Sequence, residues 1–197
     1  MSRRLATAVA ALLVVSCAIC GGASAATSGT MPPRSGYSPE QVQVLADASP
    51  SFTLDAAPVR ISPTAAYGAA AQPGATVEGS PLAVSASTTA ICWTGTYTEI
   101  WGIWPLEQKV LSHDTWCSTN WSHLYYHSNS VTTSQTLCSA SNSPFHFRVA
   151  GGVSGQMTDE WEVGSRFSCP TNLPGVYYSP TRSFYIVVAA DGGYYHG

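Results

Sequence analysis

Charge is scarce in this chain, and motifs that carry chemistry are scarcer. Only 10% of its 197 residues are Asp, Glu, Lys or Arg, with 8 basic against 11 acidic side chains. From residue 90 onward the basic residues are Lys109, Arg148, Arg166 and Arg182, each standing apart. Phosphate backbones are held by clustered Lys and Arg, so no nucleic-acid partner is expected. Anionic membrane surfaces are disfavoured for the same reason. No apolar run approaches the roughly 18 residues that cross a bilayer. Cys-x-x-Cys occurs only between Cys17 and Cys20, which leaves a zinc or redox site without support. Gly-x-Ser-x-Gly is absent; Gly152-Val153-Ser154-Gly155 is only superficially similar, and its glycines suit a hairpin turn. No repeat of fixed period is visible, and no useful helical periodicity follows residue 90.

What is present starts with an export signal. Arg3 and Arg4 precede an apolar run from Leu5 to Val15, and Ala23-Ser24-Ala25 supplies the small residues of a cleavage site. Residues 1–25 are therefore expected to be a signal peptide, giving a secreted chain that begins at Ala26. Its removal leaves six basic against eleven acidic side chains, a net charge of −5. The alternative within the exported class is a lipobox, Val14-Val15-Ser16-Cys17, which would anchor the chain at the outer surface through a lipid on Cys17. Residues 26–89 are rich in Ala, Ser, Pro, Thr and Gly, contain no Trp or Cys, and are expected to be a disordered linker or propeptide. One local exception is Ser38-Pro39-Glu40-Gln41, a capping-box pattern that predicts a short helix over 39–47.

Composition changes abruptly near Ala90. From there to the end, 18 of 108 residues are Trp, Tyr or Phe, enough apolar area for a small core. β-branched and aromatic runs punctuated by Gly, Asn, Ser and Pro predict an all-β domain over 90–197, a small disulfide-stapled β-sandwich or barrel. The expected strands are 91–101, 108–116, 121–127, 131–137, 145–149, 160–167 and 183–190. Cys92, Cys117, Cys138 and Cys169 form an even set in an exported domain, and four cysteines allow three pairings. A hairpin centred between Trp104 and Pro105 would set Cys92 opposite Cys117, leaving Cys138 and Cys169 for the second bridge.

The residues Cys92-Trp93, Ile100-Trp101-Gly102-Ile103-Trp104, Thr115-Trp116-Cys117, Arg166-Phe167-Ser168-Cys169 and Asp191-Gly192-Gly193-Tyr194-Tyr195 carry a resemblance. Over 91–197 the chain resembles a group of uncharacterised small secreted β-rich proteins of actinobacteria. The resemblance implies a secreted β-rich fold, no established activity and no functional residue. Against the group's pattern, it implies a partner for the second bridge after Cys169, whereas this chain has Cys138 before it.

Glycoside hydrolysis needs two facing carboxylates; Glu160 and Glu162 share a strand face but read as charges on a solvated edge. His113, His123, His127 and His146 could ligate a metal, yet His123 and His127, on one face of a strand, would stand about 13 Å apart. His113-Asp114 reads as a turn pair. No catalytic residue, metal or cofactor is expected. Ligand binding is the better functional reading, with Trp93, Tyr97 and Trp101 sharing one face of the first strand as a candidate ligand row; the same face could instead be the core. The chain is thus expected to be a non-catalytic extracellular binding or structural module, meeting a cell-wall or other extracellular glycan or protein. The alternatives are a small polysaccharide or cell-wall hydrolase, or a secreted inhibitor acting through the loops at 142–144 or 171–175.

Overall fold

The computed structural model describes residues 35–70, 75–79, 90–140 and 144–196. The expected signal segment and Cys17 lie outside those residues, as do Asn142 and Ser143 of one candidate inhibitory loop. The elements are α1 (Pro39–Ala46), β1 (Ser51–Ile61), α2 (Pro63–Ala70), β2 (Thr76–Gly79), β3 (Ala90–Trp101), β4 (Gln108–Thr119) and β5 (His123–Gln135). There follow β6 (Ser139–Ala140), β7 (Phe145–Gly151), β8 (Thr158–Pro170), β9 (Tyr177–Tyr178), β10 (Thr181–Ala189) and β11 (Tyr194–His196).

Two antiparallel sheets face each other. The first has the order β1-β3-β4-β5-β2; in the second β11, β10 and β8 are neighbours, and β6, β7 and β9 also pair with β8. Alternation fixes which side of each strand is buried. On β3 the odd positions Trp93, Gly95, Tyr97, Glu99 and Trp101 point inward, while Thr94, Thr96 and Thr98 lie on the opposite face. Trp116 of β4, Trp161, Val163 and Phe167 of β8, and Phe184, Ile186 and Val188 of β10 complete the core between the sheets. Gly95 is required by this packing: a Cβ there would lie 2.7 Å from the Tyr194 ring of the opposite sheet.

The β3–β4 hairpin has the expected register, Cys92 opposite Cys117, and that pair is bonded, as is Cys138 with Cys169. Each bridge is capped by a helix. Ala66 of α2 packs on Cys92–Cys117 and accepts a hydrogen bond from Tyr126 Oη at 3.1 Å. Val42 and Ala46 of α1 pack with Leu106 on Cys138–Cys169. α1 begins with the expected capping box: Ser38 Oγ accepts from Gln41 N, and Gln41 Oε1 accepts from Ser38 N.

Three expectations are corrected. Residues 51–61 and 76–79 are not a linker, because β1 pairs with β3 along its length and β2 pairs with β5. An edge strand is held mainly by backbone hydrogen bonds, so its composition need not look like core, and Pro58 is tolerated where the register slips between Ala56 and Val59. The stretches 121–127 and 131–137, expected as two strands, are one strand, β5. The Ser128-Asn129-Ser130 break was expected to be a turn, yet Ser128 and Asn129 are buried and paired with Thr115 and Asp114. Lastly, β8 is no edge: β7 flanks it on one side and β10 on the other.

Candidate functional site: a sealed ionic cluster and an open aromatic face

Acid–base groups gather at one place, where β4 and β5 meet β8 across the core. His127 lies between two carboxylates, with Nε2 donating to Asp114 Oδ1 at 2.9 Å and Nδ1 donating to Asp159 Oδ2 at 2.8 Å. All three side chains are 0% exposed. Asp114 Oδ2 also accepts from Ser112 Oγ at 2.7 Å and Tyr194 Oη at 2.5 Å, and its Oδ1 accepts from Asn129 Nδ2 at 2.7 Å. Asp159 takes Trp161 Nε1 and Arg148 Nε, each at 2.8 Å. Arg148 reaches on to Glu78 of β2. A parallel path runs from Asn129 Oδ1 through the His146 ring at 2.8 Å to the Thr76 hydroxyl at 2.5 Å. The network therefore ties β2 and β5 of the first sheet to β7 and β8 of the second.

Electrostatics keep this cluster ionised. Burial alone would lower the His127 pKa, but hydrogen bonds and charge from Asp114 and Asp159 outweigh it and raise the value to about 9. Burial would raise both carboxyls; the His127 hydrogen bond and charge, with donors around them, hold both below the ordinary range. Burial lowers the pKa of His146, which matches a neutral ring bridging Asn129 and Thr76. An imidazolium that keeps its proton to about pH 9, has both N–H groups engaged and meets no solvent cannot serve as a base at neutral pH. The cluster is a structural pin.

The histidine and carboxylate expectations change accordingly. His113 and Asp114 are not a turn pair: they lie mid-strand on opposite faces of β4, His113 exposed and Asp114 buried. His123 and His127 do not share a face, because a bulge at Cys117/Ser118 inserts Tyr125 between them and shifts the alternation. His127 is wholly buried. Among the described residues no group of three His, Cys, Asp or Glu side chains is arranged to hold a metal ion.

Trp93, Tyr97 and Trp101 do share a face, and it is the inner one. Trp93 is 5% and Trp101 7% exposed, and Tyr97 packs against the same core. The candidate ligand row is therefore core: Trp93 stacks on Trp116 at 6.0 Å, Tyr97 meets Tyr194 at 5.0 Å, and Trp101 meets Phe184 at 6.3 Å. The loop at 171–175 is closed by Thr171, whose hydroxyl donates to Val176 O at 2.8 Å and which leaves Leu173 exposed.

Rings are displayed elsewhere, on the outer face of the second sheet. There Phe147 is 50%, Tyr185 38% and Tyr195 54% exposed. Register aligns Phe147, Glu162 and Tyr185 in one row across β7, β8 and β10; Glu160, Val187 and Tyr195 form the next row. Two strand spacings separate Phe147 from Tyr185, about 10 Å. Phe145 stacks beside Phe147 with centroids 6.0 Å apart and planes 20° apart. Gly164 makes room for it, since a Cβ there would lie 2.5 Å from the Phe145 ring. The outer rows mix rings with carboxylates on an open surface.

No family model, no curated protein and no solved structure matches this chain.

Proposed function

We propose that this chain is a non-catalytic binding module acting outside the cell, and that its ligand is an extracellular glycan laid across the outer face of the second sheet. The observation that carries this reading is the register-aligned set of exposed rings, Phe147, Tyr185 and Tyr195, with Glu160 and Glu162 between them. Aromatic rings stack on the C–H faces of sugars, and carboxylates accept hydrogen bonds from hydroxyls while repelling anionic polymers. Buried disulfides fit an oxidising compartment, and no helix among the described residues is long and apolar enough to cross a membrane.

Hydrolysis has less support. The acids that approach each other, Asp114 and Asp159, are sealed with an imidazolium between them. Glu160 and Glu162 stand side by side on an open strand rather than across a cleft.

The test is retention of the purified chain on insoluble polysaccharides and isolated cell walls. Phe147→Ala and Tyr185→Ala should each weaken retention by about tenfold, near 1.4 kcal/mol. His113→Ala, exposed on the first sheet, should leave it unchanged. Retention of both ring variants at wild-type strength would overturn this assignment.

A further inference from the structure

Glu99 is the acid that the core leaves unanswered. It sits on the inner face of β3, 3% exposed, and its Oε2 has no hydrogen-bond partner. His196 Nε2 of β11 stands 3.7 Å away and is equally without a hydrogen bond. Around them stand Phe52 of β1, whose ring centroid lies 3.8 Å from that of His196, Tyr97 of β3, and Phe184 of β10, 5.7 Å from His196. Among the described residues, Arg182 of β10 is the cation that acts on Glu99. Its guanidinium is committed to Gln108 Oε1, Ala46 O and Asp47 Oδ1 at 2.6–2.9 Å. Val110 faces Glu99 from β4 and Tyr194 lies beside His196; neither supplies a charge to the site at neutral pH.

We propose that the Glu99–His196 contact is a proton-operated latch on β11: the strand stays docked while Glu99 keeps its proton and is released as that proton leaves. Burial raises the Glu99 pKa to about 8 against the pull of Arg182, and burial lowers that of His196, so both are uncharged when the strand is docked at neutral pH. A carboxylate formed in this apolar site must be hydrated. Of the elements that wall it in, β1, β3 and β4 are long strands in register over most of their length, whereas β11 has three residues and pairs only with β10. Hydration therefore reaches Glu99 most easily by fraying β11 at its His196 end, while Tyr194 at the other end stays tied to Asp114. Because Tyr195 rides on the same strand, an open latch also withdraws one ring from the outer face; that consequence rests on the binding reading, whereas the latch itself does not.

The linkage gives the experiment its scale. In the undocked state Glu99 titrates near its ordinary 4.5, in the docked state near 8, so opening should grow about tenfold per pH unit up to about 8 and then level off. The window from pH 6.5 to 8 avoids protonation of His196 below it. Amide hydrogen exchange of β11 in the full chain, corrected for intrinsic base catalysis, should show protection falling about tenfold per unit there. Amides at the centre of β4 should hold theirs, and Glu99→Gln should abolish the trend. Constant β11 protection, or the same fall in Glu99→Gln, would overturn the latch. Should Glu99→Gln fail to fold, carbon-13 titration of the Glu99 carboxyl in the wild-type chain decides. An apparent pKa near 4.5, or a His196 ring still protonated at pH 8, would contradict the latch equally.

Discussion

At the scale of single residues, the decisive feature is a histidine held between two buried acids. Removing one member of a buried ion pair leaves an uncompensated charge, which costs about 3–5 kcal/mol, far more than most surface changes. His127→Ala should therefore lower unfolding free energy by that amount in a urea titration, while His113→Ala stays within about 0.5 kcal/mol. A loss below about 1 kcal/mol at His127 would mean that Asp114 and Asp159 are not charged in the core. The cluster was partly legible in the sequence: Ser112, Asp114 and Trp116 alternate on one face, as do Asp159 and Trp161, so each polar side chain shares a face with a core Trp. His127 was not, because the extra residue at Tyr125 breaks the count from Leu124. Nor could alternation decide whether Trp93, Tyr97 and Trp101 faced a ligand or the opposite sheet, because a face buried by a second layer looks the same as one covered by sugar.

At the scale of elements, cysteines and aromatic spacing made most strands readable, and the hairpin register that joins Cys92 to Cys117 followed from symmetry about Trp104 and Pro105. β1, β2 and α2 were hidden because they lie in an Ala-, Ser- and Pro-rich stretch and pair through backbone hydrogen bonds, while Phe52, Leu54 and Val59 of β1 stay partly exposed instead of marking a buried face. Their absence should nonetheless be costly. A chain beginning at residue 90 would strip β1 from β3, β2 from β5, and both helices from the disulfides they cap. Such a fragment should lack the dispersed amide spectrum of the intact protein, whereas cleavage ahead of residue 35 leaves all these elements in place. A well-folded 90–197 fragment would show that the inter-sheet core alone suffices.

For the whole molecule, the titrating groups combine into a pH profile. His127 has its folded pKa raised to about 9 from 6.5, so its contribution is complete below 6.5 and is lost as pH rises through 9. Glu99, raised to about 8 from 4.5, acts in the same direction, stabilising below 4.5 and losing that as pH rises through 8. Asp114 and Asp159 are lowered, so theirs is present above their ordinary 3.8 and fades as pH falls through the depressed values. His196, lowered by burial, opposes the first two weakly below 6.5. Melting temperature should accordingly be higher near pH 5.5 than at pH 9, and an equal or higher value at pH 9 would contradict the assigned charge states.

The same scale holds the functional claim, that the ligand lies on the outer face of the second sheet. The direct measurement is an NMR titration of the intact chain with a soluble oligosaccharide taken from whichever polymer retains it. Shifts should concentrate at 145–149, 160–164, 183–187 and 195, leaving Thr94, Thr96 and Thr98 on the first sheet's outer face unmoved. Shifts clustered on the first sheet, or at the 171–175 loop, would contradict it.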